Sequence, residues 1–217
     1  LSLQQSTVAE IPANQEIRRI APDGTIITSR WKASKGAVRG SHLTDGTVTF
    51  TLHGPDRGDS TRLPFRPSVT RGDYQSVTEV RVDGPYVSFT DVQDPDFAVY
   101  NRRTGATRRF THPDGGVVVE ISVSQKTGGV LYERREGPVT KPHVYLWRGA
   151  DQPVLIADSA MSPLWAPSGD FALLKRKMPA QESDIDDEQS YLYWWLYDRE
   201  GNPVLDMSRY GRASGFE

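Results

Sequence analysis

Four times along this chain the same pattern recurs: a short stretch of alternating apolar and polar residues, a tight turn carrying glycine, and a second alternating stretch. The copies are EIRRIAPDGTIITSRW from Glu16, SVTEVRVDGPYVSFTDV from Ser76, VVVEISVSQKTGGVLYERR from Val117 and SPLWAPSGDFALLKRK from Ser162. Alternation with period two marks a strand with one buried face. Gly24, Gly84, Gly128 and Gly169 can each supply the positive φ that a hairpin turn demands. A second hairpin follows each first one: TVTFTLHGPDRGDSTRLPF, FAVYNRRTGATRRFTH, HVYLWRGADQPVLIAD and YLYWWLYDREGNPVLDM, turning at Gly54 to Gly58, Gly105, Gly149 and Gly201. Gly84 to Gly105 and Gly128 to Gly149 both span 21 residues. The same interval is 30 from Gly24 to Gly54 and 32 from Gly169 to Gly201, because ASKGAVRGSHLTDG and MPAQESDIDDEQS intervene. The repeating unit is therefore four strands long, with one connection free to grow.

A four-stranded antiparallel unit of about 40 to 45 residues has the size of one β-propeller blade. One such unit cannot bury both its faces, so units stack and each supplies part of its neighbour's core. The expected fold is all-β: a single β-propeller over residues 1–217, with about four full four-stranded blades near 16–66, 76–113, 117–158 and 162–208. Residues 1–15, with the alternating STVAEI, are the candidate closing strand. Trp31, Trp147 and Trp165 lie in apolar strand stretches, where large rings can fill the gap between stacked sheets. A β-sandwich is the alternative, since it too joins short strands by Gly- and Pro-rich turns; repetition of one two-hairpin unit favours the propeller. If the ring is an excerpt of a larger one, its open sheet edge invites self-association.

The units resemble the TolB-like, or WD-like, propeller repeats, in which an inner strand ends in a Ser-Pro-Asp-Gly-type turn and a later strand runs into Asp-x-x-Thr-Gly. The matching positions are Ala21-Pro22-Asp23-Gly24, Ala166-Pro167-Ser168-Gly169, Asn101 to Gly105 with Thr104, and Asp198 to Gly201. The corresponding turns at Val82-Asp83-Gly84 and Lys126-Thr127-Gly128 lack the proline. The resemblance spans about Glu16 to Met207 and implies a non-catalytic module that binds a protein or peptide through its loops. The longer connections, Ala33 to Gly46 and Met178 to Ser190, are candidates for that contact. Two other readings stand beside it: a carbohydrate-binding or glycoside-hydrolysing propeller, and the accessory propeller of a larger peptidase.

Composition narrows the classes further. Lys and Arg number 26 against 28 acidic residues, a net charge of −2, so no overall field draws in nucleic acid. The absence of cysteine removes disulfides, thiolate metal sites and cysteine nucleophiles. No apolar run approaches the roughly 20 residues that span a bilayer, so membrane insertion is not expected. The chain begins at Leu1, as a processed export signal, a removed anchor or a truncated chain would leave it; a periplasmic or secreted location is favoured.

Chemistry-bearing residues are few. His42, His53, His112 and His143 show no zinc-type spacing, and no metal site or catalytic residue is expected of them. Ser29 and Lys32 have Ser-x-x-Lys spacing, but an odd separation on a strand puts them on opposite faces. Glu182, Asp184, Asp186, Asp187 and Glu188 crowd one segment, 182–188, that could take Ca²⁺ through several oxygens or serve as a solvated loop that meets a partner. Asp91, Asp94 and Asp96 carry the carbohydrate reading, since glycosidases need two carboxylates flanking a sugar bond. Arg102, Arg103, Arg108 and Arg109 flank the Gly105 turn as a basic patch for an acidic partner.

Overall fold

The computed structural model describes residues 11–33, 45–54, 60–64, 68–70, 78–91, 96–137, 141–149, 152–177 and 192–207. They form four antiparallel sheets. The first contains β1 (Glu16–Ile20), β2 (Ile26–Ala33), β3 (Asp45–His53) and β4 (Ser60–Arg62), with β5 (Ser68–Thr70) also pairing to β3. The second contains β6 (Thr78–Asp83), β7 (Tyr86–Asp91), β8 (Asp96–Asn101) and β9 (Thr107–Thr111). The third contains β10 (Val117–Val123), β11 (Val130–Arg135), β12 (His143–Trp147) and β13 (Val154–Asp158); the fourth contains β14 (Ala160–Trp165), β15 (Phe171–Lys177), β16 (Leu192–Asp198) and β17 (Pro203–Asp206). In every sheet the four strands of the main path follow chain order as an antiparallel meander, and in the first sheet β5 also pairs with β3.

Those turns are set by glycine. Gly24, Gly84, Gly128 and Gly169 have φ of 82°, 56°, 70° and 71°, a left-handed conformation that costs any other L-residue about 1–2 kcal/mol. The two proline-containing turns share the bond from the glycine N–H back to the alanine carbonyl, while the alanine N–H closes over one residue more in the second turn. The Ala21 and Ala166 N–H groups donate to Thr25 O (2.8 Å) and Phe171 O (2.9 Å), and Gly24 and Gly169 donate back to Ala21 O (2.9 Å) and Ala166 O (2.8 Å).

The core lies between sheets rather than within any one of them. Ile27, Phe50 and Leu52 of the first sheet pack on Val80, Val87 and Phe89 of the second. Phe97 and Val99 of the second pack on Ile121, Tyr132 and Trp147 of the third, with the Phe97 and Trp147 rings 5.5 Å apart, edge to face. Leu131, Val144 and Leu146 of the third pack on Trp165, Leu174 and Tyr197 of the fourth. Alternation makes this possible: Phe97 and Val99 of β8 join the second–third core while Ala98 joins the first–second one, and Leu131 of β11 faces away from its neighbours Val130 and Tyr132 in the same way. Each fully buried large side chain contributes about 1.5–3 kcal/mol of transfer free energy. Four separate sheets stacked in chain order are propeller blades; a sandwich would have two. Among the described residues no such cluster joins the fourth sheet to the first.

Trp147 and Trp165 thus fill inter-sheet gaps as expected, whereas the Trp31 side chain and the segment STVAEI up to Glu10 lie outside the described residues. In β16, Trp195 and Tyr197 face the third sheet while Trp194, 8% exposed, lies on the other face with Lys175 Nζ 5.0 Å from its ring centroid.

Polar ties cross the same interfaces near the inner strands. Arg81 Nη1 on β6 donates to Glu120 of β10 (3.1 Å) and to Ile121 O (3.3 Å), and Asp83 accepts the Val123 N–H (2.8 Å). Burial pushes the carboxyls of Glu79, Asp83 and Glu120 above their ordinary range, with Arg81 opposing it in each case. Between the third and fourth sheets, Ser122 Oγ accepts the Trp165 N–H at 3.0 Å. No helix long and apolar enough to cross a membrane occurs among the described residues.

Candidate functional site

Neighbouring sheets are aligned so that their hairpin turns meet at one end. A Cβ added to Gly84 would strike Gln125 Oε1 (2.6 Å), one on Gly128 would strike Tyr86 Oη (2.8 Å), and one on Gly169 would strike Lys126 Cβ (2.7 Å). Arg102 Nη1 donates to Asp23 across the first and second sheets at 2.8 Å. Among the described residues the sheets therefore present these turns on one turn face. The strand ends Ala33, Asp91, Arg135 and Lys177 belong to the opposite face.

Among the described residues, two open clefts enter the turn face. One, of about 470 Å³, lies between the first and second sheets, lined by Asp23, Gly84, Tyr100, Arg102, Arg103 and Gln125. The other, of about 480 Å³, lies between the third and fourth. Leu146 and Trp165, 2% and 7% exposed, form its floor, and Arg148 and Arg199 with Glu200 form its rim. The equivalent place between the second and third sheets is filled: Arg108 Nη2 donates to Gly128 O, its guanidinium carbon lies 5.3 Å from the Trp147 ring centroid, and a Cβ on Gly149 would meet its Nη1 at 2.9 Å.

The charges at these clefts are held in defined ways. For Asp23, burial would raise the carboxyl, but hydrogen bonds from Arg102 and Thr25 outweigh it and hold the group below its usual range. Lys126 donates to Asp170 at 2.6 Å and lowers that carboxyl in the same sense. Arg199 Nε donates to Glu200 at 2.6 Å, which holds its proton more tightly than usual. Arg148 Nη2 instead donates to the carbonyls of Arg199 (3.3 Å) and Glu200 (3.5 Å).

The four arginines read from the sequence as one patch are divided by the fold. Arg102 and Arg103 line the first cleft, and Arg108 fills the inter-sheet space next to it. Arg109, one residue along β9 and so on its other face, reaches Pro64 O at 3.4 Å. Asp96 opens β8 exposed at the opposite face; the Asp91 side chain and all of Asp94 lie outside the described residues. Asp184, Asp186, Asp187 and Glu188, with the whole segment 182–188, lie outside them too. So do most of the long connections 33–46 and 178–190. Among the described residues no group of three or more His, Asp or Glu side chains is placed to hold a metal ion.

Arg148 and Arg199 are the cleft residues that the sequence reading passed over. A signal was available: in each second hairpin an arginine stands one or two positions before the turn glycine, as in Arg57-Gly58, Arg103-Thr104-Gly105, Arg148-Gly149 and Arg199-Glu200-Gly201. Aligning the turns, rather than reading each charge by itself, brings it out.

No protein-family model matches this sequence, and no curated protein matches it. Among solved structures, a chain of a nidogen/laminin complex aligns at a TM-score of 0.45 and 9% identity, covering 84% of this chain and 62% of that one. This chain thus spans less than two thirds of that relative's length. So slight a likeness bears no weight; fold and site rest on the geometry above.

Proposed function

We propose that this chain is a non-catalytic β-propeller module of the TolB-like or WD-like kind, which takes a protein or peptide partner at its turn face in a periplasmic or extracellular setting. One observation carries the reading: two open clefts of about 470 and 480 Å³ lie on one face, each at a seam between rigid sheets and each lined by turn residues. Cavities of several hundred cubic ångströms accept one or two side chains, and recognition residues on short turns of a stiff scaffold lose little entropy on binding. The family assignment draws support from the two Ala-Pro-x-Gly turns, in each of which the glycine N–H donates back to the alanine carbonyl.

The test is hydrogen–deuterium exchange of the full chain with ligands selected from a random peptide library. Slowed exchange is expected at 101–106, 124–129, 147–149 and 198–202. Ligands that protect only the opposite end, or a library that yields no ligand at all, would overturn the assignment of the turn face.

A further inference from the structure

The occupant of that face can be specified further from its charges, on the premise that the turn face is where a partner binds. Three cations there are cancelled by ion pairs: Arg102 with Asp23 (2.8 Å), Lys126 with Asp170 (2.6 Å) and Arg199 with Glu200 (2.6 Å). Three others are not. Arg108 is held by a carbonyl and the Trp147 ring, and Arg148 by two carbonyls; neutral acceptors fix a guanidinium in place without removing its charge. Among the described residues the Arg103 side chain has no acceptor, while its backbone N–H is taken by Asn101 Oδ1 at 2.9 Å. Of the other described anions at these turns, Asp83 is paired with Arg81 at 3.5 Å, and Asp198, bonded to the neutral Asn202 N–H (2.8 Å) and Nδ2 (3.0 Å), keeps its charge in the same way. Among the described residues, three arginines without a carboxylate partner thus stand against the one unpaired Asp198, a small positive surplus beside both clefts.

The third–fourth cleft adds an apolar component. Leu146 and Trp165 lie at its base, and Gly129 brings bare backbone beside Leu146, since a Cβ there would be 3.7 Å from Leu146 Cδ1. A phosphate backbone would leave that floor unused, whereas a peptide with an apolar side chain next to a carboxylate uses both parts. We infer that the turn face binds an acidic peptide, its apolar side chain seated over Leu146 and Trp165 and its carboxylates on Arg148 there and on Arg103 in the companion cleft. Guanidiniums already fixed by carbonyls lose little freedom on meeting a carboxylate, which makes Arg148 the better anchor.

Fluorescence polarisation with the full chain tests this, using a fluorescein-labelled octapeptide of alternating glutamate and leucine. Matched peptides of lysine–leucine and glutamate–serine, and a short DNA duplex as competitor, serve as controls. The glutamate–leucine peptide is expected to bind and to weaken as salt rises; the lysine–leucine peptide does not bind, and glutamate–serine binds about tenfold less tightly, the worth of one well-buried apolar side chain. Arg148→Glu is expected to lower affinity by at least about tenfold, one charge-assisted contact. Because Arg148 also ties the third sheet to the fourth, Arg103→Glu is the second variant, expected to weaken binding without loss of stability. Arg109→Glu, on the other face of β9, leaves binding unchanged. Equal binding of the two leucine peptides, no binding of the glutamate–leucine peptide, indifference to both Arg148→Glu and Arg103→Glu, or displacement by DNA at equal affinity would overturn the inference. In any of these cases the turn-face reading stands if library-selected ligands still slow exchange at the turns; ligands that protect only the opposite end remove both.

Discussion

Glu133 is 2% exposed, and both of its oxygens are engaged. Oε1 takes Arg135 Nε and Nη2 at 2.8 and 2.7 Å, and Oε2 takes the Ser162 N–H at 3.1 Å across the third–fourth interface. That last bond falls where the chain is strained: Ser159 and Ser162 have φ of 52° and 51°, and the β14–β15 register shifts between Met161 and Leu164. Glu133→Ala leaves the Ser162 N–H without its acceptor while the partly exposed Arg135 turns to solvent, and about 1–3 kcal/mol of unfolding free energy is expected to be lost, the cost of an unmade buried hydrogen bond. Urea titration measures it; a loss below about 1 kcal/mol would mean the pair is ornamental. His112 gives a second residue-level expectation. It is 2% exposed, its Nδ1 accepts the Asp114 N–H at 3.2 Å, and the rings of Phe110, Tyr132 and Tyr145 surround it. Burial, with Arg134 adding to it and Asp114 opposing, holds its pKa below the ordinary 6.5. The folded chain therefore binds this proton less readily than the unfolded one. The His112 contribution is complete above pH 6.5 and is lost as pH falls from there through the folded value. The carboxyls of Glu79, Asp83 and Glu120 act in the opposite sense, their raised values removing stability as pH rises through them. The difference in urea midpoint between the wild type and His112→Gln isolates the histidine: it should shrink as pH falls below 6.5, and a constant difference would contradict the assignment.

At the scale of elements, the turn glycines are not equivalent, although all look alike in sequence. Gly105 (φ 72°) has open space where a Cβ would go, whereas one on Gly169 (φ 71°) would lie 2.7 Å from Lys126 Cβ and 2.8 Å from Ser124 Oγ. Gly105→Ala carries only the left-handed penalty, about 1–2 kcal/mol. Gly169→Ala adds a collision with a side chain that cannot swing away, about 1–3 kcal/mol more. Thermal unfolding of the two variants should rank them in that order, and equal midpoints would refute the close approach of the third and fourth sheets. The hairpins themselves were legible because a hairpin is local chemistry: period-two alternation and a glycine free to take positive φ lie within about sixteen residues of each other. The bulged start of β14 was not, because what stabilises Ser162 is a carboxylate 29 residues away. Nor were the clefts. Arg148 faces Arg199 only once two sheets stack, so a lone arginine in each turn carried no local sign of a shared site.

For the whole molecule, the stacking is what turns sixteen short strands and β5 into one body. Three inter-sheet cores, each built from two neighbours, make stability a sum of nearest-neighbour terms, with the second and third sheets held on both faces. The number and size of the repeats pointed to this architecture over a sandwich, since a unit that recurs as the same two hairpins covers itself by stacking on its neighbours. The arginines without a carboxylate partner among the described turn residues did not show in the composition, because a net charge of −2 averages over the whole chain. The central claim is that neighbouring sheets stack in chain order with their turns at one end, and the lack of cysteine allows a direct test. Two double variants, Asp23→Cys with Arg102→Cys and Lys126→Cys with Asp170→Cys, put thiols at positions whose ion pairs of 2.8 and 2.6 Å now join adjacent sheets, close enough for a short linker to bridge. Treated with a short bismaleimide and digested, both should yield the intramolecular cross-linked peptide as the main product; folded protein labelled separately at each cysteine, with no cross-link in either variant, would contradict the stacking.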